Sequence, residues 1–277
     1  MQQYIGVDLG ATEFKIGLVQ NAKVLQKVAL KVHPSYSEQQ LLSVLIKGIT
    51  QLISPKVISI GIGVPGIVDP DAGIIYDIQN LPDWQEVNLA AQLEQAFKLP
   101  VFLNNDANCF AAGQLHYGYG KGHSNFVGLS IGTGLGMGVI IQKQLYNGQL
   151  CGAGEIGMLP YKNSILEAYA ASFFFSEFYN ATAKTLYQLA LKDDANALEA
   201  FVNFGIHLGQ ALKIINYTYA PEAIILGGSI ANAYTFFKES MLAELATFAY
   251  PKQIANLKLY VANGPDLAIL GAASLCL

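Results

Sequence analysis

Gly6-Val7-Asp8-Leu9-Gly10-Ala11-Thr12 runs from an apolar strand into a carboxylate, a glycine turn and a hydroxyl. Glycine lets backbone N–H groups close on a phosphate with no Cβ in the way, and Thr12 can add a donor. Asp8, at the strand's end, suits contact with a hydrated metal ion. The pattern recurs. Leu129-Ser130-Ile131-Gly132-Thr133-Gly134-Leu135-Gly136-Met137-Gly138 is a second strand–glycine–strand corner, and Leu226-Gly227-Gly228-Ser229 is a third. Three such corners predict a nucleotide held between two related halves, with Gly6–Gly10 lying over Gly128–Gly132.

Around the first corner the pattern predicts strands Tyr4–Leu9, Phe14–Gln20 and Val24–Val32. A helix follows over Glu38–Ile53, with Leu41, Leu42, Leu45, Ile46 and Ile49 on one face. Val57–Val64 reads as a buried strand entering a turn at Pro65-Gly66. A short helix spans Val87–Phe97, Val101–Asn104 is a strand, and Asp106 takes the N-cap of a helix to Tyr117. The second half repeats strand, turn and strand over Phe126–Ser130 and Val139–Gln142, with a hairpin near Asn147-Gly148. Helices Ser164–Tyr179, Thr182–Leu191 and Asn196–Tyr219 come next. Strand Ala223–Leu226, a helix to Phe248, strand Leu257–Val261 and helix Pro265–Leu275 complete the pattern. Alternating strands and helices predict an α/β fold with mainly parallel pairing and helices on both faces. The hairpin opening each half makes each sheet mixed.

The chain has 277 residues, enough for one large domain or two medium ones. Its 52% hydrophobic content predicts a dense core. The apolar stretches at Val57–Val64 and Phe126–Ile141 are broken by glycines, so no membrane span is expected. No basic leader precedes the first strand, which predicts a cytoplasmic protein. Cys109, Cys151 and Cys276 show neither metal-ligand nor disulfide spacing. A net charge of −4 with 16 Lys and Arg argues against a nucleic-acid partner. It does not argue against a nucleotide, which glycine-loop amides can hold. The histidines His33, His116, His123 and His207 have no metal spacing and read as surface or core positions. The glycines at 132–138 do not fit the dinucleotide fingerprint, and Gly120-Lys121 is not a phosphate-binding loop of the Walker kind.

Asn104-Asn105-Asp106-Ala107-Asn108 places a carboxylate at a helix mouth beside the expected cleft. It can take a proton from a hydroxyl that attacks phosphorus, or it can serve only as an N-cap. The glycine corners favour the first reading, since phosphoryl transfer needs a base and a phosphate cradle together.

These segments, with Gly61-Ile62-Gly63-Val64-Pro65-Gly66, Asn80-Leu81-Pro82-Asp83-Trp84 and Gly154-Glu155-Ile156-Gly157, occur in the order seen in the ROK family. The chain resembles that family over nearly its whole length. The resemblance implies an actin-like, hexokinase-type fold of two α/β domains, 1–115 with 265–277 and 116–264, around a cleft. It implies a sugar kinase that transfers phosphate from ATP with Mg2+, at a hexose or N-acetylhexosamine, by family analogy at the C6 hydroxyl. Asp106 resembles the catalytic base. Gly66, Asn80, Asn105, Glu155 and Glu167 resemble sugar contacts. Asp8, Gly10, Thr12, Gly132, Thr133 and Gly134 resemble the ATP-phosphate site, and Gly227 and Gly228 the adenosine corner. A homodimer is the expected state, with Phe173-Phe174-Phe175 and Phe178 forming a core face or a dimer contact and, as a lesser alternative, lining the sugar pocket.

Three departures stand out. Family members usually follow the GEIG glycine with histidine and then a cysteine cluster that binds structural zinc. Here Met158 follows and Leu159–Ser164 runs straight to Leu166-Glu167, so no zinc loop is expected and packing by Met158, Pro160 and Tyr161 is to order the segment. Glu13 brings a carboxylate close to the phosphates, and Lys15, on the same side of the strand, either offsets it or forms with it a solvated pair, the second being the favoured reading. The family that the chain resembles also contains sugar-responsive repressors, and the DNA-binding domain they carry is not expected ahead of Gly6. The alternative function is a non-catalytic, sugar-sensing member that acts through a partner. A polyphosphate donor would want a basic groove that so few cations do not supply.

Overall fold

The computed structural model describes residues 2–10, 12–33, 35–76, 78, 84–264 and 266–277. Strands β1 (Gln3–Leu9), β2 (Glu13–Gln20) and β3 (Lys23–Lys31) lead to helix α1 (Glu38–Leu52). Then come β4 (Val57–Val64), the short strands β5 (Ile67–Asp69), β6 (Ile74–Tyr76) and β7 (Glu86–Val87), and helix α2 (Leu89–Phe97). Strand β8 (Val101–Asn105) runs directly into α3 (Asp106–Tyr117). The first sheet has the order β3-β2-β1-β4-β8. Its hairpin strands are antiparallel and β1, β4 and β8 are parallel. Inner strands β1 and β4 are apolar on both faces, as parallel strands covered by helices require. The outer strand β3 carries Lys23, Lys27 and Lys31, charges that discourage pairing with another chain's edge.

The second half opens with β9 (Phe126–Ile131), β10 (Leu135–Ile141) and β11 (Gln144–Leu145), followed by a small hairpin of β12 (Pro160–Tyr161) and β13 (Ser164–Ile165). Helices α4 (Leu166–Ala170), α5 (Ser172–Tyr179), α6 (Ala183–Ala190) and α7 (Ala195–Tyr219) precede β14 (Ala223–Gly227). Helices α8 (Tyr234–Leu245) and α9 (Pro251–Asn256), strand β15 (Lys258–Val261) and α10 (Leu267–Ser274) follow. The second sheet, β11-β10-β9-β14-β15, repeats the order and directions of the first. Phe174, Phe175, Phe201, Phe204 and Phe237 fill the core beside it, while Phe173 and Phe178 of the same helical run are each 52% exposed.

Helix α10 returns to the first sheet, packing on β1, β4 and α3. Two glycines make the approach possible: a Cβ on Gly6 would overlap the carbonyl oxygen of Ile269, and one on Gly61 that of Ala272.

Five local expectations change. The second hairpin turns at Gln142-Lys143, both with positive φ, because Gln142 N donates to Asn125 Oδ1 and Lys143 N to Ser124 O. The stretch Ser164–Tyr179 is a strand and two helices. Its break at Ala171 is extended because Ser172 N donates to Gly132 O rather than continuing a helix. Val87 belongs to β7, and Asn88 caps α2. The stretch after Gly228 starts as a 3-10 turn over Ile230–Ala233, and α9 was not expected at all.

Candidate active site

The strand-to-helix junction at Asn105-Asp106 fixes the site. Asn105, not Asp106, is the N-cap: its Oδ1 accepts from Ala107 N at 2.9 Å and Asn108 N at 3.4 Å. Its Nδ2 donates to Gly66 O at 3.1 Å, which ties the Pro65-Gly66 turn to the helix mouth. Asp106 is thereby the first helical residue. Its carboxylate accepts from Ala107 N at 2.8 Å and keeps an exposed edge toward the cleft. Behind it, Asn104 Oδ1 accepts from Asn105 N, Asn108 Nδ2 and Cys151 Sγ, and Asn104 Nδ2 donates to Asn147 Oδ1 at 3.0 Å. The 147–151 loop of the second half is thus fastened to β8 of the first.

A cavity of about 300 Å³ joins the halves, with Asp8 and Asp106 on one side and Ser130, Gly228, Ser229 and Asn232 on the other. Gly228 has φ of +85°, and a Cβ there would overlap Ile131 O, so the third corner lies directly on the second. A neighbouring cavity of about 410 Å³, lined by Lys184, Tyr187 and Phe201, shares Ser229 and Asn232 with it. A larger one of about 540 Å³ lies between Tyr146, Gly154 and the end of α7, and holds only Glu155 of the expected site residues.

Electrostatics set the carboxylates apart. Burial pushes Asp106 up to about 6, helped by the charges of Asp8 and Glu155 and opposed by the Ala107 N–H. Burial likewise raises Asp8, against the pull of Lys15 Nζ at 3.8 Å. Lys15 therefore faces Asp8, its register partner across β1 and β2, rather than offsetting Glu13, whose charge is a minor contribution raising Asp8. Glu155 is raised by burial and by the charge of Glu167.

Gly10 N donates to Glu13 O at 3.1 Å and Thr12 O accepts from Val32 N at 3.0 Å, closing the first corner. Gly132 N donates to Gly134 O at 3.0 Å, closing the second, and the Oγ of Ser229 is 3.8 Å from where a Gly132 Cβ would be. Gly227 packs on the Phe110 ring. Asn80 lies outside the described residues. Glu167 does not simply face a substrate: its Oε2 accepts from Leu135 N at 2.8 Å. Ser229, Asn232 and Asn263 line the cleft without having been singled out, since lone serines and asparagines beside a glycine corner carry no distinguishing pattern.

Met158 is 56% exposed and does not pack as expected. Pro160 is exposed as well, and of the three expected packing residues it is Tyr161 that holds the β12–β13 hairpin, its hydroxyl meeting His207 Nδ1 at 3.1 Å and its ring lying edge-on to Tyr169. Tyr169 bonds Asn163, and Lys162 Nζ sits 5.1 Å from the Tyr169 ring centre. Burial and the Lys162 charge lower His207 to about 4. Among the described residues no group of three or more His, Cys, Asp or Glu could hold a metal ion. One carboxylate, Asp8, with the Ser130 hydroxyl across the cavity, nonetheless fits a hydrated ion carried on a nucleotide, which needs few protein ligands. No helix among the described residues is long and apolar enough to cross a membrane.

Two like-wound sheets facing across a carboxylate-lined cleft define the actin-like, hexokinase-type ATPase fold. The chain matches the ROK family over residues 4–277 and belongs to it. It is 29% identical to a glucokinase of Thermotoga maritima, over 98% of this chain and 96% of that one. It is also 31% identical to a xylose repressor of Bacillus subtilis, over 87% of this chain and 67% of the repressor. The crystal structure of a ROK family glucokinase from Streptomyces griseus in complex with glucose and AMPPNP shares the fold. The TM-score is 0.85 at 24% identity, covering 99% of this chain and 98% of that one.

Proposed function

We propose that the protein is an ATP-dependent kinase of a hexose or N-acetylhexosamine, with the C6 hydroxyl as acceptor. The observation that carries this is the paired placement of Asp106 and the glycine corners. One cavity holds a carboxylate raised to about 6 on one wall and the Gly228 corner on the other. A base with that affinity is largely ionised at neutral pH yet binds a proton better than an ordinary aspartate. Asp106 takes the proton of the attacking hydroxyl. Asn105 and Gly66 position the sugar from below, and Glu155 and Glu167 accept from its other hydroxyls, with Asn80 a further contact. Gly10, Thr12, Gly132, Thr133 and Gly134 form the two phosphate corners, Gly10 and Gly132 closing them through their own amides while the Thr133 and Gly134 amides are left for the phosphates, and Gly227 and Gly228 back the nucleoside. Asp8 would hold the hydrated Mg2+ carried by the nucleotide, and the ion would shield the phosphate charge.

The two lobes in this reading are 1–115 with 265–277, and 116–264. Their closure excludes water from the transfer. The protein works as a cytoplasmic homodimer, in which the exposed Phe173 and Phe178 are available as contacts. The reading is tested by coupled ADP release with MgATP across a panel of hexoses and N-acetylhexosamines, with Asp106→Asn as control. Turnover on one or a few sugars, lost in the variant, supports it; equal turnover by the variant removes Asp106 as the base.

The likeness to xylose repressors favours one second reading, a sugar-binding member that acts through a partner without catalysis. Nucleotide binding with no turnover on any sugar would support it.

A further inference from the structure

The second glycine corner is held from outside by a single short segment of chain. Glu167 Oε2 accepts the Leu135 N–H at 2.8 Å, just past Gly132-Thr133-Gly134. On the other flank Ser172 N donates to Gly132 O and Ser172 Oγ to Thr133 O, both at 3.0 Å. Together with the bond from Gly132 N to Gly134 O, these ties occupy every carbonyl of the corner and the amides at its two ends. None of them uses the amides of Thr133 or Gly134, the two groups that an oxyanion could meet. The carboxylate also fills the space beside Gly134, where a Cβ would lie 2.5 Å from Oε2, and lies 3.3 Å from where a Cβ on Gly157 would be.

We propose that Glu167 is a positioning residue for the donor nucleotide: by fixing Leu135 N–H it holds the second phosphate corner in its binding shape, whether or not sugar is present. The proposal rests on the kinase reading and adds to it a role for Glu167 toward the nucleotide. A carboxylate bonded to a backbone N–H is among the stronger neutral-to-ion contacts, and its loss leaves a donor unpaired in the fold. Glu155, outside that segment, is close enough for the charge of Glu167 to raise it, so the tie to the corner lies beside both carboxylates proposed to face the sugar.

The test is titration of the full chain with Mg2+ and a non-hydrolysable ATP analogue, without sugar, followed by steady-state kinetics on the same variants. Glu167→Ala is expected to weaken the analogue about tenfold. Glu167→Gln keeps an oxygen acceptor for Leu135 N–H and removes a negative charge near the phosphates, so it should bind at least as tightly as wild type. In turnover, Glu167→Ala should raise KM for MgATP more than it lowers kcat. A Glu167→Ala protein that melts like wild type and binds the analogue equally well overturns the proposal. Where that variant does not fold, Glu167→Asp carries the test, since its carboxylate is too short to reach Leu135, and unchanged binding there overturns the proposal equally. A wild type that binds the analogue but phosphorylates no sugar defeats the kinase reading while leaving the corner's role intact.

Discussion

The two sheets share one strand order and one set of directions, yet the corners they present differ in chemistry. In the first, Asp8 ends the central strand, faces Lys15 across the hairpin and lines the cleft. In the second, Ser130 stands at the equivalent position, and the charge has moved outward to Glu167, which touches the corner from behind. The first corner is closed by its own hairpin, through Glu13 O and Val32 N. The second is closed by helices that follow it in the chain, through Glu167 and Ser172. A duplicated topology thus leaves the chemistry free to divide. In the proposed reading one half supplies charge toward the reacting atoms, and the other a shaped backbone tied to Glu167.

The largest effect expected is for Asp106→Asn, about 10²- to 10⁴-fold in kcat, the usual worth of a general base. For wild type, kcat/KM should rise with pH through about 6 and then level off, because the base form of Asp106 is needed. A group whose folded pKa lies above its ordinary value weakens the fold as pH climbs from the ordinary value to the raised one. Asp106→Asn should therefore melt no lower than wild type at neutral pH, so lost turnover with an unchanged melt separates chemistry from folding.

Asp8→Ala against Ser130→Ala measures the asymmetry of the corners directly. Roughly a hundredfold loss is expected for Asp8, as for other groups placed at developing charge, and only a few-fold for Ser130. Equal losses would show that the halves contribute alike.

Gly61→Ala should lower stability by about 1–3 kcal/mol, because its Cβ would strike the backbone of α10. Gly132→Ala, with only Ser229 Oγ at 3.8 Å, should leave denaturant midpoints nearly unchanged while altering nucleotide affinity. The smallest effect concerns the β12–β13 hairpin. His207 is held near 4, below its ordinary value, so its contribution to stability is present above pH 6.5 and is lost as pH falls toward 4. His207→Phe should flatten that part of the melting curve against pH.

Much of this was legible in the residues. Strands β1, β2, β4, β8 and β14 and helices α1 and α7 lie within two residues of where periodicity put them, because each has a clear apolar face or run. Asn105 and Asp106 are both good caps, and a shift of one residue decides which of them is left for chemistry. That shift depends on Gly66 O, thirty-nine positions away, which no local pattern records. Asn147-Gly148 looks like the better turn, yet Gln142-Lys143 makes it, since the Ser124-Asn125 pair supplies the bonds. Glu167 fits a sugar contact by resemblance. Its bond to Leu135 could not be read from the sequence, because a backbone N–H acceptor site has no residue signature.

The notches at Gly6 and Gly61 set a timetable for biosynthesis. They receive α10, whose residues leave the ribosome about 260 positions after Gly6, roughly 15–50 seconds later at ordinary rates of translation. From the completion of β4 at Val64, about 200 positions ahead of α10, the inner strands of the first sheet are made but uncovered on the face α10 will occupy. That face is apolar surface of the kind chaperones bind, and a release only a dozen residues early would leave it open for good.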